Sequence, residues 1–471
     1  MTLIKDEMIE WGIMMHLLSV FMVLFAFVIL MLFLYKEKIN QKILVYSVAA
    51  LIIMNLVHSF LDLATWQLTP FYVFWLFLLL YIKFEPAKRI LRIIYVNFML
   101  LLLIVSLGLL YVFPSWDIPD PTGPYPIGSY YTVIDDEDRY ELYTDDPTDK
   151  RSFMLRIWYP AKDPLSDDIT KWVGNNIVTG ALAKDMGLPT FSLSHLGKIE
   201  SNALHLAYIH DALETYPVVI ISHGWGGFMN LHVDLAEELA SRGYIVVSID
   251  HTYGSVATTF MDKTVYQNKD ALPGREDPTF LEKANQLVNT YAGDVMKTLD
   301  YLEEQQEKPN ATLFGRLDLD HIGLIGHSTG GGADVFVALN DDRVKALLGL
   351  DAWVEPIGSV ETNKGLTIPS LFLRSQSWEV GPNNNYLYDL ILNSPQARLY
   401  QIDGTTHADF TMAYMFSPLT GMLGITGSLE KSYLLQMQKD LMNSFFDEHL
   451  KGVNEELNLS IYQELKPVEI S

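Results

Sequence analysis

Gly326-His327-Ser328-Thr329-Gly330 is the segment with the plainest chemistry in this chain. It follows the apolar run His321–Ile325, which reads as a strand, and precedes Gly331–Leu339, which reads as a helix. A G-x-S-x-G between strand and helix is the pattern of a nucleophile elbow, a tight turn that lifts a serine hydroxyl to the top of a sheet. Small flanking residues let the backbone turn sharply, and the helix N-terminus stabilises negative charge beside the serine. A second loop, His223-Gly224-Trp225-Gly226-Gly227, comes directly after the strand-like Pro217–Ser222. Acyl transfer builds an oxyanion that needs backbone N–H donors. A Gly-rich loop at this place supplies one, and the residue after the nucleophile supplies the other. The expected donors are the amides of Trp225 and Thr329.

A serine nucleophile needs a base, and the base needs a carboxylate that orients it. Of twelve histidines, only His407 and His449 follow Ser328. His407 lies in a loop just after the strand-like Ala397–Ile402, whereas His449 sits in an amphipathic terminal segment that reads as a surface helix. His407 is therefore the expected base. The acid has more candidates. Asp351 ends the apolar run Ala346–Leu350, and Glu379 follows the next strand. Asp403 and Asp409 are near His407 and suit loop or cap roles, and Asp250 precedes the serine. The chain order Ser…Asp/Glu…His admits Asp351 or Glu379.

These residues need a scaffold, and the second part of the chain reads as one. Phe153–Tyr159, Pro217–Ser222, Tyr244–Asp250, His321–Ile325, Ala346–Leu350, Pro369–Arg374 and Ala397–Ile402 are short apolar runs. Helical stretches such as His232–Arg242 and Phe280–Gln306 lie between them. Continuous apolar strands are covered on both faces, and strands alternating with helices give a mostly parallel sheet. The expected fold is α/β.

The segments Leu350-Asp351-Ala352-Trp353, Gly326–Gly331, Ser222–Gly227 and His407-Ala408-Asp409-Phe410 together resemble the plasma-type platelet-activating-factor acetylhydrolase family, the lipoprotein-associated phospholipase A2 enzymes and their bacterial relatives. The opening Pro121–Tyr125, the strand Ile157–Pro160 and the close Phe445–Gly452 are similar too, so the likeness runs over roughly residues 119 to 453. It implies an α/β-hydrolase fold and a metal-independent serine esterase without cofactor, and it points to short-chain or oxidised phospholipid esters as substrates. It also places the acid in the LDAW segment, at Asp351, with Ser328 as nucleophile, His407 as base and Trp225 and Thr329 as oxyanion donors. The segments Trp172–His210 and Tyr253–Pro278 have no recognisable counterpart, and they are where an acyl pocket would be shaped.

The N-terminal quarter is of another kind. Trp11–Tyr35, Ile43–Leu61, Leu63–Ile82 (densest from Trp66) and Ile93–Trp116 are nearly free of charge. Each approaches the roughly 20 apolar residues that span a bilayer. The expected organisation is a four-helix transmembrane domain over residues 1–113, with helices at about 11–35, 43–61, 66–82 and 93–113. A Pro/Gly-rich linker over 114–128 and a catalytic domain over 129–471 follow. Lys36, Lys38 and Lys42 lie between the first two spans, and Lys83, Lys88, Arg89 and Arg92 between the last two. Cationic loops stay cytoplasmic, so both the N-terminus and the catalytic domain are expected on the far side of the cell membrane.

Composition narrows the partners. The chain has 471 residues, no cysteine and a net charge of −24. Thiolate catalysis and cysteine-ligated metals are excluded, and the acidity argues against nucleic acid. The expected partners are a small-molecule or lipid ester and the lipid bilayer. Two other readings compete: a hydrolase-fold module that only binds or senses, and a transporter with an accessory hydrolase. The second meets only His16 and His58 as ionisable residues inside the apolar stretches, where transport sites usually hold more.

Overall fold

The computed structural model describes residues 2–34, 40–60, 65–84, 86, 88–162, 168–454 and 457–470, with side chains from residue 17 onward. Lys36, Glu37, Lys38, Asp62 and Glu85, which bear on membrane orientation, lie outside the described residues, as does the side chain of His16.

Four helices come first: α1 (Thr2–Leu34), α2 (Gln41–Phe60), α3 (Thr69–Phe84) and α4 (Arg89–Val112). With the short 3₁₀ turn Trp66–Leu68 that leads into α3 counted with it, all four are long and apolar enough to cross a membrane. Their facing side chains, among them Met22, Ala26, Leu51, Phe71, Phe74, Met99 and Leu103, form one buried cluster. Large apolar side chains such as Phe21, Ile53, Leu79 and Ile104 point outward and are exposed. An outward surface this apolar is of the kind that helices present to lipid. Inside the bundle, Ser19 Oγ and His58 Nε2 are 2.8 Å apart, so the buried His58 imidazole is met by a hydroxyl on the neighbouring helix.

The remainder is built on one sheet. Its elements are β1 (Ile127–Tyr140), β2 (Lys150–Pro160), β3 (Ile169–Lys171), α5 (Asn176–Asp185), β4 (Glu200–His205), β5 (Tyr216–Ser222), α6 (Val233–Ser241) and β6 (Ile245–Asp250). A small hairpin, β7 (Ala257–Thr259) and β8 (Thr264–Tyr266), leads to α7 (Phe280–Glu307), β9 (Leu317–His327), α8 (Thr329–Asn340) and β10 (Val344–Leu350). The chain closes with α9 (Gly358–Thr362), β11 (Ser370–Ser375), α10 (Asn383–Leu392), β12 (Ala397–Ile402), α11 (Lys431–Lys451) and β13 (Leu465–Pro467). The sheet order is β13-β12-β11-β10-β9-β5-β6-β2-β1-β4-β3. From β12 to β6 every pairing is parallel, and β2 pairs antiparallel with both β6 and β1. This is the α/β-hydrolase arrangement read from the sequence.

Two apolar cores lie on the two faces of the sheet. One gathers Val219, Ile221, Val246, Ile325, Leu348 and Leu373 against α6 and α11. The other gathers Val218, Ile220, Val247, Leu324 and Leu347 against α7 and α8. Alternate residues of each strand serve opposite faces, which is why these strands are apolar throughout. The C-terminal ends of β5, β9, β10 and β12 open on the same edge, where ligand sites of open α/β sheets lie.

Candidate active site

Ser328 joins β9 to α8 with φ 55° and ψ −119°. A side chain here is strained, because positive φ brings its Cβ against backbone. Among the described residues only Leu206, Tyr253 and Asp351 share positive φ without being glycine. Two of these four strained positions are thus the expected nucleophile and the expected acid. The turn is held by backbone bonds: Ser328 N donates to Leu350 O at 3.1 Å, and Trp353 N donates to Ser328 O at 2.9 Å. It also has no room for side chains. A Cβ on Gly330 would stand 2.3 Å from Ser222 O, and one on Gly224 would stand 2.8 Å from Ser328 Cβ. The close approach explains the glycines on both loops.

Asp351 follows β10 with its side chain fully buried, and His407 follows β12 with its side chain 33 % exposed. His407 Nδ1 and Asp351 Oδ2 are 2.9 Å apart. The carboxylate also accepts from Ser375 N at 2.7 Å and Ser375 Oγ at 2.6 Å. Three hydrogen-bond partners on one buried carboxylate fix its position. The same turn steadies the imidazole. Ser377 Oγ accepts from His407 N at 3.1 Å, and the Trp378 ring lies parallel on the imidazole at 4.2 Å. With Nδ1 spent on Asp351, Nε2 is the face left for proton transfer. His327 Nε2 donates to His407 O at 3.2 Å, which ties the His407 loop to the residue next to Ser328. No hydrogen bond joins Ser328 Oγ to His407 among the described residues.

The other carboxylates have other work. Glu379 is exposed on the turn after Trp378. Asp403 Oδ1 accepts from Gln401. Asp409 caps its own loop, accepting from Thr406 N at 2.7 Å and Gly427 N at 2.6 Å and pairing with Lys431 at 3.1 Å. Asp250 accepts from Ser255 Oγ and Met229 N. His449 lies on α11, edge-on to Phe445, away from these groups.

The loop after β5 has a fixed orientation. His251 N donates to His223 Nε2 at 3.2 Å. That nitrogen therefore carries a lone pair, so the ring proton is on Nδ1, which donates to Gly224 O at 2.7 Å. Gly227 N donates to the same oxygen at 3.0 Å. The Gly224–Trp225 peptide is planar, so holding its carbonyl aims the Trp225 N–H the other way. Gly226 N is committed to Gly254 O. Thr329 is the first residue of α8, where an N–H has no partner inside the helix. The sequence pattern found this loop but not its buttress. His251 stacks on Tyr291 at 3.8 Å and contacts Asp294 at 3.0 Å. Burial would raise the Asp294 carboxyl, but the buried Arg151 at 2.6 Å, His251 and Arg139 together outweigh it and hold it below the usual range. Burial lowers His251 to about 4 and His232 to about 3, so both are neutral at pH 7.

Behind the elbow, Asp334 of α8 is fully buried and accepts from Ser222 Oγ at 2.8 Å. Its other oxygen has no partner. Burial pushes this carboxyl up to about 8, against the pull of the Ser222 bond. The unfolded chain releases that proton near pH 4, so the folded state binds more protons between about 4 and 8 and loses stability as pH rises through that window. Asp334→Asn, which mimics the protonated form, is expected to remove this slope. Thermal melts at pH 5 and pH 8 should show the variant gaining several degrees on the wild type at the higher pH. A difference that does not change with pH would contradict this.

Known proteins resemble this chain over its second part. The sequence model described as platelet-activating factor acetylhydrolase, isoform II, matches residues 110–460. The platelet-activating factor acetylhydrolase of Bos taurus is 25 % identical over 358 residues, covering 71 % of this chain and 77 % of its own. That of Canis lupus familiaris is 25 % identical over 367 residues, with the same coverage. Cutinase 1 of Thermobifida cellulosilytica is 23 % identical over 199 residues, 41 % of this chain and 61 % of its own. Among solved structures, a ferulic acid esterase from Streptomyces cinnamoneus superimposes with a TM-score of 0.62 at 22 % identity, covering 75 % of this chain and 100 % of its own. The helices α1 to α3, and all of α4 but its last three residues, lie outside the family match.

Proposed function

The chain belongs to the platelet-activating factor acetylhydrolase, isoform II, family and is a carboxylic ester hydrolase of the serine type, and from that premise we propose that Ser328, His407 and Asp351 are its catalytic triad. In this reading the Ser328 hydroxyl attacks the ester carbonyl as His407 Nε2 takes its proton. Asp351 holds the imidazole tautomer and stabilises the imidazolium. The Trp225 and Thr329 amides receive the oxyanion. His407 then protonates the leaving alcohol, and water repeats the sequence on the acyl-enzyme. The Ser328–His407 contact tightens when substrate arrives, as in other resting sites. The observation that carries the reading is the 2.9 Å contact between His407 and a buried, three-fold bonded Asp351.

The proposal extends to the whole chain. Residues 1–113 form a four-helix membrane domain, 114–128 a linker, and 129–471 the catalytic domain, held outside the cytoplasm at the cell membrane. The substrate is then an amphiphilic ester, with short-chain or oxidised phospholipid acyl groups as the family-like choice. Full-length protein in detergent should label at Ser328 with a fluorophosphonate probe and hydrolyse p-nitrophenyl esters from acetate to palmitate. The chain-length profile separates an acetylhydrolase from a lipase. A folded protein that neither labels nor turns over would favour the binding-module reading.

A further inference from the structure

An indole covers one face of the His407 imidazole. The Trp378 ring lies on it at 4.2 Å with 2° between the planes. Trp378 ends the single turn Gln376–Trp378 that follows β11. Hydrogen bonds lash that turn to the loop that carries His407. Gly404 N donates to Gln376 Oε1 at 2.7 Å, and Gln376 N donates to Thr405 Oγ1 at 3.3 Å. Ser377 N donates to Thr405 O at 3.3 Å, and His407 N donates to Ser377 Oγ at 3.1 Å. From α10, Asn384 Nδ2 donates to Trp378 O at 3.0 Å and to Glu379 O at 2.9 Å. The indole itself packs against the buried cluster of Phe280, Ala284 and Trp353. Backbone and ring are both held by contacts that do not involve a charge on His407.

The groups around the imidazole leave the indole a part to play. Asp351 Oδ2 meets the Nδ1 edge at 2.9 Å. The His327 ring lies 4.5 Å away, tilted by 32°. Burial lowers His327 well below its ordinary value, so it is neutral at pH 7. On the loop of His407, Asp409 is paired with Lys431 and Asp403 accepts from Gln401. Glu379, next to Trp378, is exposed. An imidazolium is a flat cation, and the negative face of an indole attracts a cation within about 6 Å of its centre. The electrostatic part of that attraction is absent while the imidazole is neutral. A contact that strengthens as His407 takes up a proton lowers the barrier and does not tighten substrate binding.

We propose that Trp378 is a positioning residue whose indole stabilises the imidazolium that His407 becomes during acyl transfer. The inference rests on the reading of Ser328, His407 and Asp351 as the triad. Acylation and deacylation both pass through that cation, so kcat reports it whichever step is slower. KM should move little, because the indole acts through His407 and not on the ester.

The test uses the full chain in detergent with p-nitrophenyl acetate. Trp378→Leu, which removes the aromatic face, is expected to lower kcat roughly three- to tenfold, the scale of one cation–π contact. KM should stay within about twofold. Trp378→Phe, with a weaker aromatic face, should recover part of the loss. Fluorinated tryptophan separates charge from shape. Biosynthetic replacement of the nine tryptophans by mono-, di- and trifluorinated forms draws electron density from the indole face and nearly keeps its outline. In the wild type, kcat should fall with each added fluorine. In the Trp378→Phe background it should stay level, which controls for the other tryptophans. If Trp378→Leu does not fold, the fluorine series in the wild type decides. A folded Trp378→Leu with wild-type kcat would overturn the proposal. A loss confined to KM would overturn it too, by placing the indole on the substrate. Equal losses in the Leu and Phe variants, with no response to fluorine, would reduce the contact to packing. Wild-type protein that neither labels at Ser328 with a fluorophosphonate nor turns over ester would bring down the triad reading and this inference with it.

Discussion

Ser328→Ala is expected to lower kcat by roughly 10⁴- to 10⁶-fold, the scale seen when a serine nucleophile is removed from an intact acyl-transfer site. The loss follows from covalent catalysis itself, since no acyl-enzyme can form without the hydroxyl. Folding should survive. Ser328 Oγ makes no hydrogen bond among the described residues, and the turn is held by main-chain bonds to Leu350 and Trp353 that alanine keeps. The positive φ of 55° is as strained for alanine as for serine. The measurement is ester turnover beside a thermal melt and fluorophosphonate labelling. Residual turnover near wild type, with an unchanged melt, would mean that another group attacks the carbonyl. A variant that fails to fold would instead show that the hydroxyl has a structural role.

The site was legible where chemistry and backbone coincide in a short stretch of chain. The G-x-S-x-G run must be read with the strand before it and the helix after it, and β9 and α8 flank Ser328 as that reading requires. The strands β5, β6, β10 and β11 were visible for the same reason, being nearly continuous apolar runs buried on both faces. β1 was not, because Asp135–Asp138 sets four acidic residues in a row, three of them exposed, and breaks any apolar run. β3 and β13, with three residues each, fall below any period. Ser375, Ser377 and Trp378 were missed as partners of the proposed acid and base, although Trp378 covers His407 face to face. No local pattern marks them. They follow the strand next to β10, and only the parallel pairing of β10 with β11 brings Ser375 to Asp351.

The choice between Asp351 and Glu379 is where sequence order stops and geometry takes over, and it carries the second large effect. Asp351→Asn keeps the shape of the side chain but offers an amide to His407 Nδ1. An amide NH₂ facing that nitrogen favours the tautomer with its proton on Nε2, which cannot accept from Ser328. The expected fall in kcat is roughly 10⁴-fold near neutral pH. KM should move little, because the buried carboxylate touches no substrate. Ser375 makes the change costlier still. Its N–H and hydroxyl both donate to Asp351, and an asparagine can satisfy them only through its single carbonyl oxygen. Some loss of stability is therefore expected, on the order of 1–3 kcal/mol for a buried partner left unmet. Glu379→Gln should leave kcat within about twofold, since Glu379 is exposed and a solvated charge is largely screened. Steady-state kinetics of the two variants against one soluble ester decide the matter. A collapse in Glu379→Gln, with Asp351→Asn still active, would move the acid to the neighbouring strand, as the chain order alone allows.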